Sequence, residues 1–524
     1  MNTVPILIGV TGHRSINNSD RSVLYESVQK ELRAIQSRCP HTEIKMLNSL
    51  AVGADRLCAR AALDLKIPLI AVLPFEKERY ESDFNEAETA EFRALLKEAE
   101  QIITAPASEA DEPDGRDAGY RRAGVYLCVH AHALLALWNG EEGKTGGCGT
   151  ADIVACKLHD AFLPKEGTPI SCMHAVICVH TPREGEDGAA GEVRFLGEKE
   201  AFDGVLKDTD DFNALCAQTN AAQTPFTEEV SDDPAVKRME AVYAAADALS
   251  MKFAVRYRRI LALLAVCSTT VTAAFLLYDE AELHWMIVLC GAALLLCFFL
   301  IRFARRSNCH RNYLDNRVLA EGLRVQSFLR IAGSGTEAAL LLPWSQRAET
   351  PWIGCAIAAL NVGASGREKR SILKSWAEEQ EAYHLRALQK AETKQRRSER
   401  IVRIALIVSI CFYAAALFFE PVFGGTFALR APIPDAERYR TLLKLILGSI
   451  SAATLFISNY YGKLSLDRAA DDHKKMADFY KRIKEQLIRF RETDALLSEL
   501  ARAELTENAG WHSYRRDNTP DLDL

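Results

Sequence analysis

The 524-residue chain carries a formal charge of −6, with 64 Lys and Arg against 70 Asp and Glu, and is 48% hydrophobic. That length allows several domains, and the lack of a basic excess excludes a general DNA- or RNA-binding role, which needs cations to displace counterions. The 14 cysteines are never spaced C-x-x-C. This excludes the usual zinc and dithiol signatures and fits small buried side chains in a reducing compartment, with no metal expected.

Residues 1–10, MNTVPILIGV, lack the basic start and long apolar run of a signal peptide, so the N-terminal region is expected in the cytosol. The chain then alternates strand and helix. PILIGV (5–10) reads as a strand running into TGHR. A Ser19/Asp20 cap opens a helix with apolar residues at helical spacing. EIKMLNSL (43–50) is a second strand, and VGADRLCARAALDL begins a helix at a glycine turn. PLIAVLPF (68–75) is a third strand, a charged helix covers about 86–100, and QIITA is a brief fourth strand. AGYRRAGVYLCVHAHA (118–133) is a helix, LLALWNG (134–140) a fifth strand, GTADIVACKLHDA a helix and HAVICVHTP (174–182) a sixth strand. Continuous apolar strands separated by helices predict a doubly wound parallel sheet covered on both faces, an α/β fold of Rossmann-like type.

Residues 183–232 are rich in Gly, Asp, Glu and Thr and read as a variable, partly disordered excursion closing a domain over 1–232, with its core at 4–182. A linker helix at 233–259 leads into the first of four apolar segments: 260–278, 284–304, 401–419 and 442–461. A span needs about 20 residues. The predicted second half is therefore all-α, with two transmembrane hairpins (units 260–400 and 401–524) and long cytosolic helices. Arg256, Arg258 and Arg259 precede the first segment, and Arg302, Arg305 and Arg306 follow the second. Arg396, Arg397 and Arg400 precede the third, and Lys463 and Arg468 follow the fourth. The tip of the first hairpin holds Asp279, Glu280 and Glu282. This bias places both termini and the 305–400 region in the cytosol, in a multi-pass protein of the inner membrane. A faint repeat links NYLDNRVLAEGLRVQSFLR (312–330) with LSLDRAADDHKKMADFYKR (464–482), each with an aromatic at similar distance, Phe328 and Tyr480. Small residues Gly448, Ser449, Ala452 and Ala453 and the Ser/Thr run at 268–272 permit close helix packing.

Ligands of parallel sheets sit beyond the C-terminal strand ends, where strand order reverses. Loops there carry suitable chemistry. In GVTGHR, Gly9 and Gly12 let backbone amides approach a ligand, Thr11 offers a hydroxyl, and His13 and Arg14 answer phosphate charge. In SLAVGADR, Ser49 is followed by Gly53, Ala54 and Asp55 at a helix N-terminus that favours an anion. In GKTGGCGTADIV, Gly146, Gly147, Gly149 and Thr150 form a second amide nest, with Lys144 as a point charge. Any one glycine loop is ordinary punctuation; the concurrence on one sheet edge points to a phosphate. Arg121 and Tyr126, on the helix before the fifth strand, suit either contact with that pocket or a solvated or packing role, and the sequence leaves both open. Asp55 and Asp152 each suit a ribose hydroxyl or a helix cap, and the sequence leaves both open.

GVTGHR, SLAVGADRLCARAAL and LLALWNGEEGKTGGCGTADIV, with their spacing, resemble the SLOG superfamily of Rossmann-like domains over residues 4–182. That group includes LOG-type phosphoribohydrolases and nucleotide-sensing domains of bacterial conflict systems. The LOG enzymes carry P-G-G-x-G-T-x-x-E at the third loop. Here Thr145 replaces the proline and Ile153 the glutamate, while Asp152 lies about 100° round the helix. The resemblance therefore implies phosphate binding with no catalytic residue assigned. The C-terminal half, with its hairpin, RVLAEGLRVQSFLRIAG (317–333) and ELTENAGWHSYRR (504–516), resembles SLATT two-span effector domains. Together the resemblances imply a membrane effector, homo-oligomeric, that senses a nucleotide-derived second messenger and permeabilises the inner membrane in antiphage defence. A cyclic oligonucleotide and a product of NAD breakdown both fit, and no other cofactor is expected. The alternative is a membrane-tethered nucleotide N-glycosidase. A transporter or passive scaffold ranks third; against transport, the apolar segments hold almost no ionisable residue at mid-membrane.

Overall fold

The structure, a computed structural model, describes residues 3–106, 115–141, 148–160, 172–183, 186, 189–219, 221, 226, 231–280, 282–363, 371–423, 441–451, 454, 466–489 and 493–517. The chain divides into two compact units. The first comprises residues 1–249, 315–372 and 492–512; the second comprises residues 250–314, 373–491 and 513–524.

The first unit is built on a seven-stranded sheet in the order β4-β3-β2-β1-β5-β6-β7. Its strands are β1 (Ile6–Gly12), β2 (Ile44–Asn48), β3 (Leu69–Leu73), β4 (Gln101–Thr104), β5 (Ala133–Trp138), β6 (Ala175–His180) and β7 (Val193–Gly197). The first six are parallel, as their continuous apolar composition predicts; β3 is buried at every position. Strand order reverses at β1, which pairs with β2 on one side and β5 on the other. Intervening helices are α1 (Arg21–Arg38), α2 (Ala54–Asp64), α3 (Lys77–Glu81), α4 (Glu86–Glu98), α5 (Arg116–His130) and α6 (Thr150–His159). The apolar spacing read in α1 becomes a buried stripe of Leu24, Val28, Leu32 and Ile35. A capping box between Asn85 and Glu88 starts α4.

The segment read as a partly disordered excursion is in part ordered. β7 pairs antiparallel with β6, and α7 (Lys199–Cys216) buries Phe202, Val205, Leu206 and Phe212. The Asn213 side chain donates to the Val4 carbonyl at 2.9 Å and accepts from its amide at 2.9 Å, tying α7 to the start of β1.

Later parts of the chain complete this unit. After α8 (Pro234–Glu280), α9 (Met286–Arg306) and α10 (Cys309–Ile331), three short helices follow: α11 (Ala338–Leu341), α12 (Trp344–Glu349) and α13 (Pro351–Leu360). All of α13 after its N-terminal proline is buried. Its Ala359, and Val362 beyond it, belong to the apolar cluster that holds Leu7, Leu134 and Val176 of the sheet. His130 at the end of α5 places Nδ1 2.8 Å from the Ala358 carbonyl. Within this unit Glu504, on α17 (Asp494–Asp517), pairs with Arg324 of α10, which also meets Glu321 at 2.5 Å.

Two helical stretches, Pro234–Asp279 and Met286–Ile331, each partly in the second unit, contain windows long and apolar enough to cross a membrane. In the apolar run of the second stretch most side chains are exposed, Val288 and Phe299 above 60%, while in the first most are half-buried and Val266 is above 60% exposed. Thr269, Thr270 and Thr272 donate to the carbonyls of Ala265, Val266 and Ser268 one turn back, so these hydroxyls are satisfied within their own helix. Among the described residues two such stretches meet the requirement, against four expected. The third segment, 401–419, lies in α14 (Leu373–Phe423), but it carries Arg403 and its final side chains fall outside the described residues. Of the fourth, residues 441–451 are helical as α15 (Thr441–Ser451), while 452–453 and 455–461 lie outside the described residues. Gly448 of α15 packs on α8: an added Cβ would lie 2.7 Å from Leu276 Cδ1. α16 (Leu466–Arg489) lies along α14 through Ala477, Tyr480 and Ile483, and Lys484 bonds Glu381 at 2.5 Å.

Candidate functional site at the sheet edge

The strand reversal at β1 opens the C-terminal edge of the sheet between the β1 and β5 loops, with the β2 loop beside them. β1 runs further than its apolar core suggests. Thr11 pairs with Ala136 and Gly12 with Leu137, and the His13 amide donates to the Leu137 carbonyl at 3.1 Å. Gly9 and Thr11 are therefore strand residues. A Cβ on Gly9 would meet Leu134 Cδ2 at 2.7 Å, so packing accounts for this glycine.

Two glycines bring the first and second loops together. An added Cβ on Gly12 would lie 2.4 Å from Ala54 Cβ. Gly53 has φ of +90°, and its added Cβ would lie 2.2 Å from the Arg14 carbonyl oxygen. The Ala54 amide at the start of α2 donates to the His13 carbonyl at 3.0 Å. This first-turn amide is thus taken by protein, and the glycines serve the approach of loop to loop.

His13 is buried, with Nε2 3.3 Å from both the backbone N and Oδ1 of Asn139 at the end of β5. Burial, with Arg183 adding to it, pushes its pKa below the usual value. A neutral imidazole latching two loops together is a weak phosphate ligand. Arg14 is exposed instead, its guanidinium carbon 4.9 Å from the Tyr120 ring centroid on α5. Tyr120 bonds Asp83, which also pairs with Arg116. Ser49 is half-buried in the second loop.

Asp55 is 6% exposed and accepts the Ala51 amide at 3.2 Å. Burial pushes its carboxyl up to about 7, against the Ala51 bond and the charges of Arg14 and Arg56. The Tyr80 hydroxyl, fully buried, has no hydrogen-bond partner among the described residues. Burial and then the Asp55 charge raise its pKa, which keeps it a donor. Sequence reasoning missed Tyr80, which lies on a short charged helix with no motif around it.

The third loop is described from Cys148 onward; Lys144, Gly146 and Gly147 lie outside the described residues. Asp152 Oδ2 accepts the Gly149 amide at 2.9 Å, so of its two readings the cap is the one formed. Ile153 is buried in the core, where a Cβ on Gly124 would meet it at 2.1 Å. Thr150 opens α6, half-buried. Arg121 is exposed on α5 and lowers the pKa of Cys148 by its charge, against the larger upward push of burial and Asp117, which places it beside this loop. Tyr126 faces away: its hydroxyl accepts the Gly363 amide at 3.1 Å.

The edge therefore presents an exposed arginine over a tyrosine, a buried carboxyl that titrates near neutrality, an unpartnered tyrosine hydroxyl and the N-terminus of α6. These can receive an anionic group with a hydrogen-bonding ring or sugar beside it. No family model matches the chain, and no curated protein matches it.

Proposed function

We propose that the chain is a SLOG-like nucleotide sensor joined to SLATT-like membrane hairpins, and that ligand capture at the sheet edge drives it to perturb the inner membrane in bacterial antiphage defence. One observation carries this reading: an anion-suited crevice at the strand reversal of a doubly wound sheet occurs in the same chain as apolar helices with exposed side chains. The ligand is a nucleotide-derived second messenger whose phosphate meets Arg14 and the start of α6. Arg121 and Lys144 add charge from the flanking helix and loop. The functional assembly is a homo-oligomer, with four spans per subunit and both termini cytosolic. Moving an equilibrium from 1:99 to 99:1 takes about 5.5 kcal/mol of differential binding, which several subunits share more easily than one.

A membrane-tethered nucleotide N-glycosidase is the second reading. Asp55, titrating near 7 beside a protonated tyrosine, has the profile of a general acid or base. Against it, Asp152 is held in its cap and Ile153 is in the core.

The test uses the full chain in dye-loaded liposomes against a panel of cyclic oligonucleotides, nucleoside monophosphates and NAD-derived nucleotides. The sensor reading expects one ligand to raise the melting temperature and release dye while being recovered intact. Breakdown of the ligand favours the glycosidase, and the absence of any thermal shift overturns both.

A further inference from the structure

The cysteine pattern predicts no metal, yet the second unit brings together two metal-ligating side chains that no spacing pattern announces. His384 on α14 and His473 on α16 are 89 positions apart in the chain. Their Nδ1 atoms lie 3.0 Å from each other where the two helices run side by side.

The rings are held by aromatic neighbours of the same helix pair. Tyr480, fully buried, stacks on His384 with 5.6 Å between centroids and 25° between planes. Tyr383 meets both imidazoles nearly at right angles, at 5.2 Å from His384 and 6.2 Å from His473. His384 is buried, whereas His473 is half-buried and Tyr383 exposed, so the pair is reached by solvent from one side. Burial lowers the His473 pKa, against the charge of neighbouring Asp472, which keeps the ring neutral with a lone pair to give.

Two Nδ1 lone pairs facing each other repel unless something positive lies between them. A proton does this in an Nδ1–H···Nδ1 hydrogen bond, for which the rings must be opposite tautomers. A cation does it with both rings carrying their proton on Nε2. The separation fits the cation as well. Nitrogens about 2.0–2.1 Å from one ion and 3.0 Å from each other subtend about 90° at it, the angle between adjacent ligands of a square-planar or octahedral metal. Rings locked by stacking and open to water on one side are prepared for such an ion at little ordering cost.

We propose that His384 and His473 chelate a divalent late transition metal, one imidazole from each helix, and that the ion clasps α16 to α14. Water completes the coordination on the open side. The site uses no residue of the sheet-edge crevice and is independent of the function proposed above.

The probe is cobalt(II), titrated into the chelator-treated full chain in detergent with the thiols kept reduced. One equivalent should bind saturably, raise the melting temperature and give visible ligand-field bands without the intense near-ultraviolet band of cobalt–thiolate bonds. Nickel(II) should displace it, while magnesium and calcium, which prefer oxygen ligands, should not. His473→Gln changes the half-buried partner, and His384→Phe keeps a ring against Tyr480. Each should weaken binding at least about tenfold, since even changes to groups behind a metal's ligands cost that much. Both variants should melt as the wild type does in excess chelator. Failure of the wild type to bind one equivalent overturns the proposal and leaves the 3.0 Å contact as a hydrogen bond. Binding that survives both variants overturns it too, and so does a strong thiolate band, which assigns the ion to cysteines.

Discussion

Asp152 accepts the amide of Gly149 at 2.9 Å, closing the first turn of α6 with a carboxylate from the same turn. A ligand phosphate arriving at this helix end would compete with that carboxylate for the same N–H and the same dipole. Asp152→Ala should therefore cost about 1 kcal/mol of stability as a lost cap. It should also tighten binding of an anionic nucleotide several-fold. Thermal melts and a binding titration of the same preparation check this. A catalytic Asp152 would give the opposite signature, lost turnover with no gain in affinity.

Asp55 makes stability depend on pH with a defined sign. Its folded pKa of about 7 lies above the usual 3.8, so folding takes up a proton between those values. The stability it contributes is complete below about pH 4 and is lost as pH rises through 7. Asp55→Asn removes the ionisation. Melting temperatures of wild type and variant should diverge in favour of the variant from pH 5 to pH 8. Parallel curves would mean that the carboxyl is ionised in the folded chain.

Gly53 should tolerate no side chain. Its φ of +90° already disfavours one, and the obstructing atom is the backbone oxygen of Arg14 at 2.2 Å, which has no rotamer to change. Gly53→Ala should cost about 2 kcal/mol or more. Gly53→Asn should not rescue it, although asparagine accepts positive φ better than alanine does. Chemical denaturation of the three proteins measures the difference.

Tyr80→Phe separates structure from binding. Removing a buried hydroxyl that has no partner among the described residues should leave the melting temperature unchanged or raise it slightly. If the hydroxyl donates to the ligand, affinity falls by about tenfold in the same variant. A clear loss of stability would reveal a partner inside the protein.

Gly448→Leu should disturb the packing of α15 on α8, because the glycine already faces Leu276 Cδ1 at 2.7 Å from an added Cβ. Overpacking of this kind costs about 1–3 kcal/mol. Leu276→Ala placed in the same chain should recover most of it, since the obstruction is a movable side-chain end. Melting in detergent of the single and double variants reads the coupling.

The six parallel strands and their helices were legible because each strand is a short apolar run bounded by turn residues. β7 was not: VRFLG is a half-exposed edge strand with a charge, Arg194, at its second position, inside a stretch of polar composition. At the site, Gly12 and Gly53 read as approach points for a ligand, and the structure adds a use the sequence did not show: each gives room to another loop. No local pattern distinguishes those uses, because the obstructing atoms come from residues far along the chain. The same holds for His13, whose burial depends on Asn139, more than a hundred positions away. The apolar segments at 260–278 and 284–304 were recognised by composition, and both lie in helices long and apolar enough to cross a membrane.

The first unit is assembled from three separated stretches of chain, and Ala359 and Val362 in its apolar cluster come from the second of them. During synthesis the strands and their crossover helices emerge from the ribosome long before α13 does, with both apolar stretches of α8 and α9 made in between. The nascent α/β layer must wait, one flank uncovered, until α13 has been made. A fragment cut at residue 250 would keep that flank bare for good. Chaperone dependence and aggregation of such fragments, relieved when residues 315–372 are supplied in trans, are the biosynthetic mark of this interrupted layout.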